Sequence, residues 1–136
     1  LLGRLCRISN YAVKNLLDIE DAFGDGSLDA RFSRSHLESE ELGVSLFRHE
    51  PNRSTTHGHH HTEQEGAYVV ISGSGRIRLD DELLELRAFD VVGVAAHVVR
   101  AFESGPDGLE LIAVGGHRPD DGDAVFDADR WPSEQS

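Results

Sequence analysis

The chain has 136 residues and a formal net charge of −12, with 25 acidic against 13 basic residues. That length fits one domain with one hydrophobic core, and a hydrophobic content of 38% places it among folded globular chains. An acidic balance of this size disfavours partners held through phosphates, so neither nucleic acid nor an anionic membrane surface is an expected partner.

No apolar run is long enough for a secretory signal or a membrane span. Cys6 stands alone, which removes a disulfide framework, a redox pair and a cysteine zinc site, and fits a reducing, cytoplasmic setting. The anomaly is histidine: eight in all, four of them between His57 and His61.

Taken in order, residues 1–10 read as an extension ahead of the domain. Tyr11 to Leu17 alternates weakly and reads as a short strand; Asp18 to Phe23 is acidic at a helix start, closed by Gly24. From Leu28 the period becomes two, with Leu28, Ala30 and Phe32 on one face. Leu42 to Arg48 follows, with Leu42, Val44 and Leu46 alternating against Gly43, Ser45 and Phe47. After the histidine segment come Ala67–Ser72, Gly75–Leu79, Leu83–Leu86, Val91–Ala95, Val98–Phe102 and Leu109–Val114. Turn signals at Ser72–Gly75, Asp80–Asp81 and Gly105–Gly108 separate several of these strands.

Many short strands with no long amphipathic helix predict an all-β sandwich, barrel or jelly roll. Tyr68 to Ile71 is apolar on both parities, which predicts a second layer against that strand, such as another copy of the chain. The tail 119–136 is rich in Asp, Gly and Pro and reads as a solvated end, with Phe126 and Trp131 as its available anchors.

The densest chemistry is His57-Gly58-His59-His60-His61-Thr62-Glu63-Gln64-Glu65. On a strand, residues two apart point the same way, so His57, His59 and His61 are expected to share a face and His60 to oppose them. An imidazole pair at that spacing is half of a divalent-metal site; the competing reading is a polar loop with no ligand. His36, His49 and His117 are scattered and read as strand-face or surface residues.

The run His59 to Gly75, H-H-H-T-E-Q-E-G-A-Y-V-V-I-S-G-S-G, resembles the first motif of the cupins, which runs from H-x-H through Glu to a strand ending at a glycine turn. Arg76 to Val94 is similar to the family in its hairpin around Asp80-Asp81-Glu82 and in Asp90, which sits where a Gly-Asp pair is usual. The resemblance covers residues 42–115 within a single domain at 11–118. It implies a double-stranded β-helix (the cupin jelly-roll barrel), preceded here by the short N-terminal strand and helix segment. It also implies a site inside the barrel, in many members one metal held by three His and one Glu, and a homodimer.

Two of those four ligands are missing from their places. The glutamate position falls on Gly66, and the second-motif histidine falls on Arg100. Glu65 is adjacent but has the wrong parity unless a bulge shifts the register, and His97 is a candidate third imidazole from the Ala95-Ala96 segment. A guanidinium inside the barrel repels a divalent cation and cannot be neutralised. It needs a partner, either Glu65 or another interior carboxylate, or an incoming anion. Tyr68 has the parity of Gly66 and faces the cavity or simply packs in the core.

Three functions are consistent with these residues. The first is a barrel that binds a small polar or anionic molecule with His59, His61, Tyr68 and Arg100. The second is a metal-dependent enzyme of isomerase, decarboxylase or dioxygenase type, with Fe, Mn, Ni or Zn on His59, His61 and either Glu65 or His97. The third is a dimeric module without a ligand.

Overall fold

The computed structural model describes residues 10–24, 28–55, 58–116 and 124–127. A single 3-10 turn at Leu16–Asp18 precedes β1 (Leu28–Phe32), the one-turn helix α1 (Arg34–Leu37) and β2 (Gly43–His49). Then follow β3 (Gly58–His61), β4 (Gly66–Leu79), β5 (Glu82–Arg87), β6 (Val91–Val94), β7 (Arg100–Gly115) and β8 (Ala124–Asp127). All pairings are antiparallel, in the order β1-β2-β7-β3-β8, with β4 laid along β7 and carrying β5 and β6. The expected all-β jelly-roll architecture is what forms. No helix among the described residues is long and apolar enough to cross a membrane.

The alternation of β4 and β7 builds the core. Tyr68, Val70 and Ile77 from β4 meet Phe102, Leu109 and Leu111 from β7, with Leu86 and Val94 closing the cluster. Val70, Ile77, Leu109 and Leu111 are essentially inaccessible to solvent, and each contributes about 1.5–3 kcal/mol of burial. On β2 the apolar set Val44 and Leu46 is not the one that joins this cluster; Phe47, of opposite parity, packs against it. Leu46 is nevertheless buried. β2 is therefore apolar on both faces, which its alternation alone does not reveal.

Two of the expected turns are absent. Ser72–Gly75 and Gly105–Gly108 lie inside the long strands β4 and β7, which bend together, with register shifts at Val70/Ser72 and Gly73/Gly75. Gly73 and Gly108 both have φ of +80°, a region open to glycine at no steric cost. A Cβ on Gly73 would overlap the Gly108 carbonyl, and one on Gly75 would overlap that of Glu103. The glycines thus serve close backbone approach at a barrel corner rather than chain reversal.

The N-terminal expectations also change. Tyr11 to Leu17 forms no strand; Tyr11 and Val13 are exposed, and Asn15 caps the 3-10 turn by accepting from the Leu17 amide. Asp18 to Phe23 is not helical beyond that turn. Asp21 accepts instead from the amides of Phe23, Gly24 and Ala30, and these bonds hold its carboxyl below the ordinary value. Arg31 donates to the carbonyls of Leu17 and Ile19 and so fastens this segment to β1. Ala124–Asp127, inside the expected tail, pairs with β3 as β8. Trp131, the other expected anchor, lies outside the described residues.

His49, at the end of β2, is buried, with its ring 6.1 Å from that of Phe102 and no hydrogen-bond partner on either nitrogen. Burial pushes its pKa below the ordinary 6.5; the nearby Leu109 backbone opposes this only in part and without hydrogen-bond geometry. The unfolded chain therefore binds this proton at a higher pH than the folded one. The His49 contribution is complete above pH 6.5 and is lost as the pH falls towards the folded value. Urea unfolding of His49→Phe is expected to lose less stability than the parent between mildly alkaline and mildly acidic buffer. Identical losses in the two proteins would contradict this assignment.

Candidate functional site

β3 is a four-residue strand held on both sides. His59 lies opposite Arg100 of β7 and opposite Phe126 of β8, and His61 anchors its own amide on the Ala96 carbonyl at 2.8 Å. Alternation brings His59 and His61 to one face as expected. Their rings meet edge to face with centroids 5.3 Å apart, and Phe126 lies 6.1 Å from His59. His57 lies outside the described residues.

Gly66 and Tyr68 follow on β4, with Gly66 between Val94 and Gly115 and Tyr68 between Val92 and Ala113. Tyr68 is buried, and its ring stands edge-on to Phe102 at 4.9 Å. Burial raises its hydroxyl pKa above the ordinary 10.0, while the nearby charge of Arg100 acts in the opposite sense.

Arg100 is 1% exposed, the most deeply buried charge described. Its Nε donates to the Val98 carbonyl at 3.1 Å. Its Nη2 donates to those of Ala95, Ala96 and Val98 at 2.8, 3.1 and 2.9 Å. Nη1 makes none of these bonds and lies 3.8 Å from where a Cβ on Gly66 would stand. The side chain thus reaches the position left open by the missing glutamate.

The carboxylate expected to neutralise Arg100 is not there. Glu65 is exposed, and among the described residues no acid is paired with this guanidinium. Its partners are backbone carbonyls of the turn from Ala95 to Val98, closed by a bond from the Val98 amide to the Ala95 oxygen. A planar fork with five donors satisfies several carbonyls of one tight turn at once, which a single carboxylate partner would not do.

The residues present do not fit the metal that the resemblance implies. Gly66 offers no donor atom, Arg100 supplies only positive charge, and Glu65 and His97, the proposed substitutes, are both exposed. Among the described residues no group of three His, Cys, Asp or Glu is placed to hold an ion. His59 and His61 are the two ligand types the structure brings together.

Sequence reading passed over a second buried arginine. Arg78 lies opposite Ala101, so alternation puts it on the sheet face away from Arg100, and its Nη2 is 3.3 Å from where a Cβ on Gly58 would stand. The glycine directly before His59 was its available signal. A cavity of about 560 Å³ has neither His59 nor His61 in its wall and is lined by Asp21, Asp29, His49, Asp107 and Glu110 among others. Asp21 is committed to backbone amides and Asp29 to Arg31 and Arg48, while both nitrogens of His49 are buried. That cavity presents acidic walls without a converging set of donors.

No protein-family model matches the sequence, and no curated protein is similar to it. Solved structures are similar in fold. A cupin protein from Bacteroides fragilis superposes with a TM-score of 0.69 at 19% identity, covering 83% of this chain and 89% of that one. A protein with a double-stranded β-helix domain from Klebsiella pneumoniae gives 0.69 at 16% identity, over 86% and 97% of the two chains. The oxalate decarboxylase of Bacillus subtilis, an enzyme with Mn(II) centres, gives 0.70 at 18% identity, over 82% of this chain and 30% of that enzyme. Strand order, bulged corners and these superpositions agree: the chain has the double-stranded β-helix fold of the cupins.

Proposed function

We propose that this protein is a small-molecule-binding cupin whose barrel takes a small anion against Arg100, with Tyr68, His59 and His61 around it. The observation that carries this reading is a buried, permanent cation with no carboxylate partner among the described residues. Backbone carbonyls satisfy its donors without neutralising its charge, so an anion at Nη1 gains both a charge-assisted bond and charge balance. Room for it is supported at Gly66, where an added Cβ would meet only the Val114 oxygen at 3.5 Å and Nη1 at 3.8 Å.

Isothermal titration at low ionic strength with acetate, oxalate and inorganic phosphate tests this directly. At least one is expected to bind, and Tyr68→Phe should weaken it about fivefold, the worth of one hydrogen bond near 1 kcal/mol. Arg100→Lys keeps the charge but loses the fork, and binding should fall further. No heat with any of the three anions would remove the reading in favour of Arg100 as a purely structural clamp.

A metal-dependent enzyme is the second reading, favoured by the paired rings of His59 and His61 and by fold neighbours that include the manganese decarboxylase. It ranks lower because the remaining ligand positions hold Gly66 and Arg100. We also propose a homodimer in a cytoplasmic setting. Outward on the apolar strand β4, Ile71 is 40% exposed, and Val91 on β6 is 66% exposed. Sedimentation velocity reads the dimer, and a monomer at micromolar concentration would overturn it.

A further inference from the structure

We infer that Arg100 is this barrel's resident cation in place of a metal ion, and that Gly66 and Arg100 form a reciprocal pair, a position without a ligand side chain facing a fixed guanidinium. Three placements support this. His59 lies in register with Arg100 and its ring adjoins that of His61. Arg100 is wholly buried, and its Nη2 is locked onto the carbonyls of Ala95, Ala96 and Val98. Its remaining nitrogen, Nη1, stands 3.8 Å from where a side chain at position 66 would begin. Residues 59, 61, 66 and 100 therefore converge on one volume, and a guanidinium fills part of it.

The chemistry of the two occupants is mutually exclusive. A guanidinium has no lone pair to offer a metal and stays charged at any pH the fold survives. A divalent ion placed beside it meets repulsion in a medium that screens poorly. The same charge balance in reverse explains Gly66, since a carboxylate there serves a metal but would pull the fork from the carbonyls it now satisfies. The barrel keeps a positive centre without depending on metal supply. This inference concerns the cavity of the proposed anion site but does not require an anion to bind, because metal content and anion binding are measured separately.

The test begins with the unaltered protein. After dialysis against Mn, Fe(II), Ni and Zn in turn, elemental analysis is expected to find less than about a tenth of an ion per chain, with no shift in melting temperature. Gly66→Glu combined with Arg100→His is then expected to take up close to one ion per chain. That uptake should vanish when His59→Ala and His61→Ala are added. A full equivalent of metal on the unaltered protein, lost with His59→Ala and His61→Ala, would overturn the inference without needing any variant at position 100. A folded double variant (native circular dichroism) that takes up no metal would overturn the convergence of the four positions.

Discussion

Arg100→Ala is expected to lower stability by about 3 kcal/mol, because it removes at once every hydrogen bond that the guanidinium donates to the turn. The bonds lost run to Ala95, Ala96 and Val98, and a core-facing side chain that is 1% exposed leaves a cavity as well. For a domain of this size the melting temperature should fall on the order of 10 °C. Arg100→Met is the informative companion, since it restores most of the stem's packing but none of the donors. Both variants should be destabilised, with Met recovering only the cavity component. If Met restored full stability, the hydrogen bonds to the turn would not be the reason this arginine is held. An arginine present only to meet a ligand would be removable without cost to the fold, and the carbonyl clamp argues against that.

Gly75→Ala is expected to destabilise by 3 kcal/mol or more, on the order of a whole small core side chain. The added methyl would overlap the Glu103 carbonyl oxygen, and the obstacle is backbone on the partner strand, so no side chain can turn aside to relieve it. Gly73→Ala should behave alike, with the further strain of a φ of +80°. Gly93→Ala supplies the contrast. Nothing stands within 4 Å of its added Cβ, and this change should stay within about 0.5 kcal/mol of the parent. Chemical denaturation of the three variants side by side measures the difference. Equal stability for Gly75→Ala and Gly93→Ala would mean that β4 and β7 do not cross as closely as described.

Much of the architecture was legible because it rests on local rules. Alternation from Leu28 onward, the hairpin at Asp80-Asp81 and the shared face of His59 and His61 all follow from the two-residue period of a strand. The family resemblance also marked Gly66 and Arg100 as the places where ligands are missing, and the structure brings both to the same volume. Glycine clusters were less informative. In sequence Ser72–Gly75 and Gly105–Gly108 look like turns, yet each is a bend in a strand that continues, because the second requirement for glycine is close approach of another backbone. A turn and a corner use the same residue for different reasons, and only the partner strand tells them apart.

Charges show the same division. That Arg100 needed a partner followed from its chemistry, but the choice among Glu65, a ligand and the backbone depended on where the chain from Ala95 to Val98 curls, a matter of long-range folding. Glu65 is exposed and does not reach it, whereas the turn carbonyls lie near, and those of Ala95 and Ala96 accept a bond from Arg100 in addition to their backbone donors. The pairing of β8 with β3 likewise depends on contacts across more than sixty residues, which no local period encodes.

By itself, then, the sequence determined an acidic all-β chain with two histidines on one strand face and a cation where the resemblance leads one to expect a ligand. Period, composition and spacing are properties of neighbours along the chain. Tertiary structure decided which carbonyls hold that cation, which glycines face backbone, and how far the vacated position at Gly66 is filled. Those outcomes depend on which distant segments approach within a few ångströms, and hydrogen bonding and steric exclusion act only at that range.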